Sequence, residues 1–582
     1  MSKTINASVA MMKVLEDWDV EQVYGIPGGS INSTMEALRL EQDKIDYIQV
    51  RHEEIGAFAA TAHAKLTGKL GVCFGSAGPG ATHLFNGLYD AQMDHVPVLA
   101  IIGQVGTSDM NWDSFQELNE NPMFADVSVY NRTVMTAASL PHVIDEAIRR
   151  AYKENGVAVV TIPNDLGTKE IPDDFWSSGH SYVKPLLPEP DDEKLKEALK
   201  LISEANRPVI FAGIGVKGAT PELVALAKHL KLPVVMSAIS KGIIPDSFEG
   251  NMGSAYRVST KPGNETLEQA DLIMMIGADF PFARTKGMFN QDAKFIQIDI
   301  DSSKIGKRHN VDVPILSDSK KAMKQLVTLS DEVAHRRFYD ACVANMKNWR
   351  AYLQQLADKT SDPLEVGAVF KQINRIATGN DVFAIDVGDV TMNSVRFLNM
   401  NEKQKFTTSA LFATMGYGIG AAIAGKLTYP DRQVFNLAGD GAFAMVMQDL
   451  LTQVKEKLHI INVVFSNESF DFIKDEQEDE KQKYFGVDLQ GADFAMIAQG
   501  MGALGITVHS YKELVEAFDT ATEVEGPVVI DVKIHNNRPL PAEKLQLDPA
   551  TNSSEEIAAF KQRYEAESLQ PFSVYLNEFE VE

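Results

Sequence analysis

Asp440 lies between Gly439 and Gly441, and Asn467 follows after 25 intervening residues, 442 to 466. A carboxylate and an amide oxygen are ligand types that a hard divalent cation such as Mg²⁺ prefers. With one backbone carbonyl added, they leave room in an octahedral shell for two phosphate oxygens and water. Ser469 is placed to supply that carbonyl. Glycines beside the acid let the main chain approach phosphate closely, and unpaired amides at a helix start add positive potential. The plain alternative is a strand-to-helix turn whose Asp caps the helix. A second acid, Glu53, stands in the charged run Arg51-His52-Glu53-Glu54 just before the Ala-rich stretch Ile55 to Leu66. Its plain reading is a first-turn carboxylate worth about 0.5 kcal/mol on a surface.

The elements that position these groups follow from apolar patterning. Val434 to Ala438 is short, mostly apolar and suited to a buried strand, 442 to about 456 lacks Gly and Pro, and Ile460 to Phe465 is a second strand. In such a β-α-β unit Asp440 and Asn467 sit at the carboxyl ends of parallel strands roughly 5 Å apart per strand step, where diphosphates bind. Strand-like runs at Val98–Ile102, Leu272–Ile276 and Val528–Val532 alternate with helical segments elsewhere. The expected fold class is α/β, with three doubly wound parallel-sheet domains. The Pro-rich acidic connector Pro185 to Asp192 and the polar run Asp358 to Pro363 mark the boundaries, giving 1–184, 192–345, 360–550 and a tail, 551–582. The first and third domains are candidate structural cousins.

In the middle domain, Pro208 to Ala212 runs into Gly213-Ile214-Gly215, and Met275-Ile276 into Gly277-Ala278-Asp279. Each is a strand and glycine turn able to admit a diphosphate. Asp279, Asp299 and Asp301 place acids at strand ends, suited either to ribose or adenine hydrogen bonds or to capping the next helix.

Composition bounds the function. At 582 residues the chain exceeds what one core supports. A net charge of -25 argues against nucleic acid, whose binding needs concentrated Lys and Arg. Cys73 and Cys342, far apart, suggest neither a disulfide framework nor a zinc site. No apolar run of about 18 residues occurs, and Glu16, Asp17 and Asp19 arrive too early for a signal peptide. The expected location is cytoplasmic.

Gly25-Ile26-Pro27-Gly28-Gly29-Ser30 and Gly75-Ser76-Ala77-Gly78-Pro79-Gly80, taken with Glu53, resemble the pyrimidine-binding domain of thiamine diphosphate enzymes. Five more segments narrow the resemblance. They are Asp113 to Asn119, Asp386 to Asp389, Leu411 to Gly416, Ile473 to Gln477 and Arg538-Pro539-Leu540-Pro541. Together they resemble the pyruvate oxidase family, the flavin-containing branch, over essentially the whole chain. Decarboxylases and acetohydroxyacid synthases share the Glu and Gly-Asp-Gly motifs but differ in the Phe-Gln-Glu and Ile-Lys-Asp-Glu segments.

The resemblance implies thiamine diphosphate, FAD and Mg²⁺ as cofactors, with pyruvate, phosphate and O₂ as substrates. The implied reaction is oxidative decarboxylation to acetyl phosphate, CO₂ and H₂O₂, through carbanion chemistry on thiamine followed by reduction of FAD. In it Glu53 bonds the aminopyrimidine, which requires a largely desolvated carboxyl. Met415 supports the bent cofactor, and Gly439, Gly441, Ala442 and Ile473 line it. Asp440, Asn467 and Ser469 hold the metal. Phe115 and Phe472 are the aromatic pair between thiamine and flavin, while Gln116 and Glu476 face the reacting centre. Ser30 contributes to phosphate binding, and His83 is either an active-site contact or a structural histidine. On the flavin side the implied contacts are Gly213, Gly215, Ser254, Arg257, Gly277, Asp279, Asp299, Ile300 and Asp318.

Two residues depart from the family pattern. Glu468 follows Asn467 where a second Asn is common, and Asp471 stands where a small residue is common. An added negative charge at 471 is expected to weaken diphosphate and phosphate binding. The resemblance also implies a thiamine site built between two chains, hence a homodimer at least and a tetramer as a dimer of dimers. The tail carries Ile557, Phe560, Tyr564, Leu569, Phe572 and Tyr575 among many charges, suited to covering an active site. Its acidic end disfavours the membrane binding of quinone-linked pyruvate dehydrogenases. Three alternatives stay open at this stage: such a dehydrogenase, an acetohydroxyacid synthase, and an inactive cofactor-binding paralogue.

Overall fold

Three six-stranded parallel sheets, each flanked by helices, follow one another along the chain. The computed structural model describes residues 3–282, 289–535, 547, 549–550, 552–566 and 569–580. The segment Arg538 to Pro541 and the side chain of Tyr564 lie outside the described residues.

In the first domain β1 (Gln22–Gly25), β2 (Asp46–Gln49), β3 (Gly71–Gly75), β4 (Val98–Gln104), β5 (Ser128–Thr133) and β6 (Val157–Pro163) lie in the order β2-β1-β3-β4-β6-β5. The second has β7 (Pro208–Ala212), β8 (Val234–Met236), β9 (Asn251–Ser254), β10 (Leu272–Ile276), β11 (Lys294–Asp299) and β12 (Val313–Leu316) in the order β9-β8-β7-β10-β11-β12. The third has β13 (Val382–Ile385), β14 (Lys405–Thr407), β15 (Val434–Gly439), β16 (Ile461–Ser466), β17 (Leu504–Val508) and β18 (Val528–Lys533) in the order β14-β13-β15-β16-β18-β17. The first and third sheets thus share one strand order, while the second follows the order typical of dinucleotide-binding folds. Central strands such as Val98–Gln104 and Val157–Pro163 are buried throughout, as continuous apolar runs predict for parallel sheets covered on both faces. A short antiparallel ladder, Thr4–Asn6 with Glu170–Pro172, ties the first domain's ends together.

Strand order reverses between β1 and β3, between β7 and β10, and between β13 and β15. Ligands of open α/β sheets bind in the crevice beyond the carboxyl ends at such points. All three candidate constellations sit there.

The first and third domains share a core. Helix α1 (Glu53–Thr67) packs along α3 (Tyr417–Thr428), and their Ala- and Gly-rich faces let the backbones approach closely. A Cβ at Gly420 would lie 2.9 Å from Phe58 Cβ. Inside this seam Lys65 is buried, with Nζ 2.6 Å from Asp90 and 2.5 Å from Asp94, donating to the Thr408 carbonyl at 3.1 Å. Alongside it, Asp449 accepts the Arg51 amide at 2.9 Å. The tail does not hang free, because Leu569, Phe572 and Leu576 are buried in the second domain's core. There α6 (Phe572–Glu580) packs on α2 (Arg337–Ala357). Among the described residues no helix is long and apolar enough to cross a membrane.

Candidate active site

At the third domain's crevice β15 ends at Gly439 and α4 (Asp440–Val446) begins at once. Asp440 is buried, its Oδ1 accepting the Gly441 amide at 2.8 Å and its Oδ2 the amides of Asn467 at 3.1 Å and Glu468 at 2.7 Å. Burial pushes its carboxyl above the usual range, and the three amides partly offset that. Asp440 thus meets Asn467 through the latter's backbone amide, from the ends of the neighbouring strands β15 and β16. Glu468 takes φ 58°, which turns both amides onto one oxygen.

A cavity of about 890 Å³ opens here. It gathers Asp440, Asn467 and Ser469 with Gly439, Gly441 and Ala442, and Met415, Phe472, Ile473 and Glu476 also line it. A Cβ at Gly439 would meet nothing within 4 Å, so open space adjoins the main chain there, whereas one at Gly441 would strike Phe470. Ser469 Oγ, Asp389 Oδ1 and Asp471 Oδ1 are buried around the cavity without a hydrogen-bond partner. Space beside an amide-rich turn, ringed by unsatisfied oxygens, suits a cation carrying a diphosphate. Met415 is held indirectly. Asp386, at the end of β13, accepts the amides of Val387, Gly416 and Gly418 at 2.8, 2.9 and 3.0 Å and so fixes the chain immediately after it.

Helix α5 (Asp471–Asp479) carries Phe472, Ile473 and Glu476. Arg257 reaches it from the second domain. Its guanidinium lies 3.8 Å from the Phe472 ring centroid, donates to the Phe472 carbonyl at 3.0 Å and pairs with Glu476. This joins the middle domain to the third domain's cavity.

The other middle-domain candidates lie around the β7/β10 crevice. Gly213 and Gly215 donate to the carbonyls of Ile276 and Gly277 at 3.0 and 2.9 Å. A Cβ at Gly215 would come 2.7 Å from Gly277 Cα, so the two turns interlock and only glycine fits. Ser254 closes β9, its carbonyl accepting the Thr260 amide at 3.0 Å. The acids are engaged within the chain. Asp279 pairs with Arg308 at 3.2 Å and Lys304 at 3.9 Å, Asp299 accepts the Asp301 amide at 3.0 Å, and Asp318 caps a helix through the Lys321 amide at 3.0 Å. Ile300 is about half exposed.

The first domain forms its own constellation. Glu53 is buried at the start of α1, and His83 Nδ1 lies 2.9 Å from its Oε2, with the His52 ring stacked on His83 at 4.3 Å. Ser30 Oγ lies 2.8 Å from Ser76 Oγ and accepts the Ala77 amide at 2.7 Å. Gly78 takes φ 69°, and a Cβ there would sit 3.0 Å from the Gln116 carbonyl, so the loop bearing Gln116 rests on the Gly-rich turn. Phe115 is 86% exposed on that loop. None of these first-domain residues lines the cavity that holds Asp440, and Phe115 and Phe472 lie in separate places within one chain.

The sequence reading assigned no role to Asp389, which lines the cavity. Burial, with Asp475 and Asp471 nearby, pushes its carboxyl up to about 7. A second acid three residues beyond Asp386, at the same strand end, was the available signal.

Profiles of the thiamine pyrophosphate enzymes match in three parts: the N-terminal TPP binding domain over residues 5–123, the central domain over 195–326 and the C-terminal TPP binding domain over 386–532. The chain is 53% identical over 579 residues to "Pyruvate oxidase" of Lactiplantibacillus plantarum, covering 99% of this chain and 96% of that protein. The chain belongs to the pyruvate oxidase branch of the thiamine pyrophosphate enzymes. Within that family it is also 41% identical over 535 residues to "Putative thiamine pyrophosphate-containing protein YdaP" of Bacillus subtilis, covering 92% of each. It is 31% identical over 553 residues to "Acetolactate synthase" of Mycobacterium bovis, covering 90% of this chain and 88% of that one. The cluster around Glu53 falls in the part matched by the N-terminal TPP binding domain and the cavity around Asp440 in the part matched by the C-terminal one.

Proposed function

We propose that this protein oxidatively decarboxylates pyruvate with phosphate and O₂, giving acetyl phosphate, CO₂ and H₂O₂, with Mg²⁺ and FAD beside thiamine diphosphate. The observation that carries the reading is Arg257, which links the dinucleotide-type middle domain to Phe472 and Glu476 at the diphosphate cavity. The 53% identity to a pyruvate oxidase supports it, against 31% to an acetolactate synthase. When bound, thiamine diphosphate supplies a carbon nucleophile and electron sink, and FAD accepts the electron pair.

The chain's own groups bind and orient. Asp440, Asn467 and the Ser469 carbonyl would hold Mg²⁺ and through it the diphosphate, while Gly439 leaves the main chain open to phosphate and Gly441 and Ala442 line the same turn. Met415 and Ile473 are apolar supports for the cofactor body. Glu53 holds a proton shared with the aminopyrimidine, its Oε2 steadied by His83. Gln116, Glu476 and the Ser30 hydroxyl face the substrates, and Phe115 and Phe472 exclude water between the two cofactors. The glycines at 213, 215 and 277, with Ser254, Arg257, Asp279, Asp299, Ile300 and Asp318, border FAD.

Glu53 and Asp440 belong to different crevices in one chain, so we infer a site completed by a second copy: a homodimer at least, assembled as a tetramer. The assembly is taken to be cytoplasmic and free of membrane. The test is anaerobic flavin reduction by pyruvate, then admission of air with and without phosphate. Bleaching followed by phosphate-dependent peroxide supports the reading. Flavin that never bleaches, acetolactate as the main product, or electrons passing only to a quinone would each overturn it.

A further inference from the structure

The acid at position 471 was expected to weaken binding, yet its place in the structure suggests the opposite. Asp471 is 9% exposed at the first turn of α5, and its Oδ2 accepts a hydrogen bond from Asn467 Nδ2 at 2.6 Å. Its Oδ1 is buried without a hydrogen-bond partner and lies on the wall of the cavity that Asp440 and Asn467 share. Asn467 Oδ1 accepts the Ser469 amide at 3.2 Å and keeps a second lone pair.

A primary amide can present oxygen or nitrogen on either side, and only its oxygen binds a hard cation. With a carboxylate oxygen on one side, the reversed amide would set oxygen against oxygen. The donor must therefore face Asp471, and Oδ1 is left on the other side. Groups that fix a ligand's orientation in this way govern metal affinity nearly as strongly as the ligands themselves.

We propose that Asp471 is a positioning residue of the cation site, locking the Asn467 amide so that its oxygen serves the divalent cation. The proposal rests on reading Asp440 and Asn467 as that site. A purely repulsive Asp471 predicts the reverse, because its removal would then tighten binding of the anionic cofactor.

The test uses the full chain stripped of cation with EDTA, given excess thiamine diphosphate and titrated with MgCl₂ by calorimetry. Removing the lock in D471A or D471G is expected to weaken Mg²⁺ binding tenfold or more. D471N keeps a hydrogen-bonding partner for Asn467 but can present either oxygen or nitrogen to it, so it holds the lock only in part and is expected to bind Mg²⁺ more weakly than the parent and more tightly than the truncation variants. Thermal melting identifies which truncation variant is folded, and either one suffices. Mg²⁺ binding in that variant as tight as the parent's or tighter overturns the proposal, as does D471N binding more weakly than the truncation variant. Failure of the parent itself to bind Mg²⁺ with thiamine diphosphate would sink the reading of the site, a result distinct from either.

Discussion

The first and third domains thread their sheets in the same order and open a crevice at the same place, yet they arm it differently. In the third, Asp386 and Asp440 spend their oxygens on six backbone amide bonds, and the loops carrying Met415 and Asn467 are fixed by them. In the first, Glu53 faces a side chain, His83, and the serines at 30 and 76 face each other. Strand order decides where a ligand can sit. The partners of the acid decide what it can do: one surrounded by main-chain donors is a rigid anchor, and one beside an imidazole is suited to moving a proton.

That contrast can be broken. Glu53→Gln should lower turnover by about 10²–10⁴-fold, the usual contribution of a positioned acid or base, while Mg²⁺-dependent binding of thiamine diphosphate measured by calorimetry stays near the parent's. Unchanged pyruvate consumption would remove the first domain from the chemistry. Asp440→Ala should show the complementary loss, with cation affinity down by at least the roughly 10–100-fold that loss of a ligand's mere supporting partner costs, and stripping the parent of cation with EDTA should abolish its Mg²⁺-dependent binding of thiamine diphosphate. If both variants lost binding equally, the division into anchor and proton carrier would fail.

The seam between the two domains offers a smaller effect. Burial pushes the Asp449 carboxyl up to about 7, against an ordinary value near 4. A raised value favours the protonated form in the fold, so its stabilisation is complete below about pH 4 and is lost as pH rises through about 7. Asp449→Asn should remove this dependence. The melting temperature of the variant minus that of the parent should grow between those limits, and a flat difference would exclude Asp449 as the source.

Much of the architecture could be read from apolar runs, since strands such as Val434 to Ala438 and Val528 to Val532 are buried on both faces and carry little else. Asp440 and Asn467 were legible together because glycines and strand ends have local signatures. The strand-end acids of the middle domain were not, since helix capping and ligand binding call for the same residue at the same place. Asp318 takes the first role in the fold. The engagement of Lys65 with Asp90 and Asp94 also escaped, although a lysine within an Ala-rich helix hinted that its charge needed a partner. Asp471 looked unfavourable because sequence shows the charge and hides the amide that uses it.

The docking of the last helix also affects how the molecule can be divided. Phe572 lies beside Phe338 with ring centroids 6.1 Å apart, and the Gln570 amide donates to Asn348 at 3.2 Å. Residues from the far end of the chain therefore complete the packing of the central module. Excised at 192–357, with α2 whole, that module would present a bare apolar groove to water, the kind of surface that drives self-association. Recombinant fragments for isolated study need the final segment supplied, in cis or in trans.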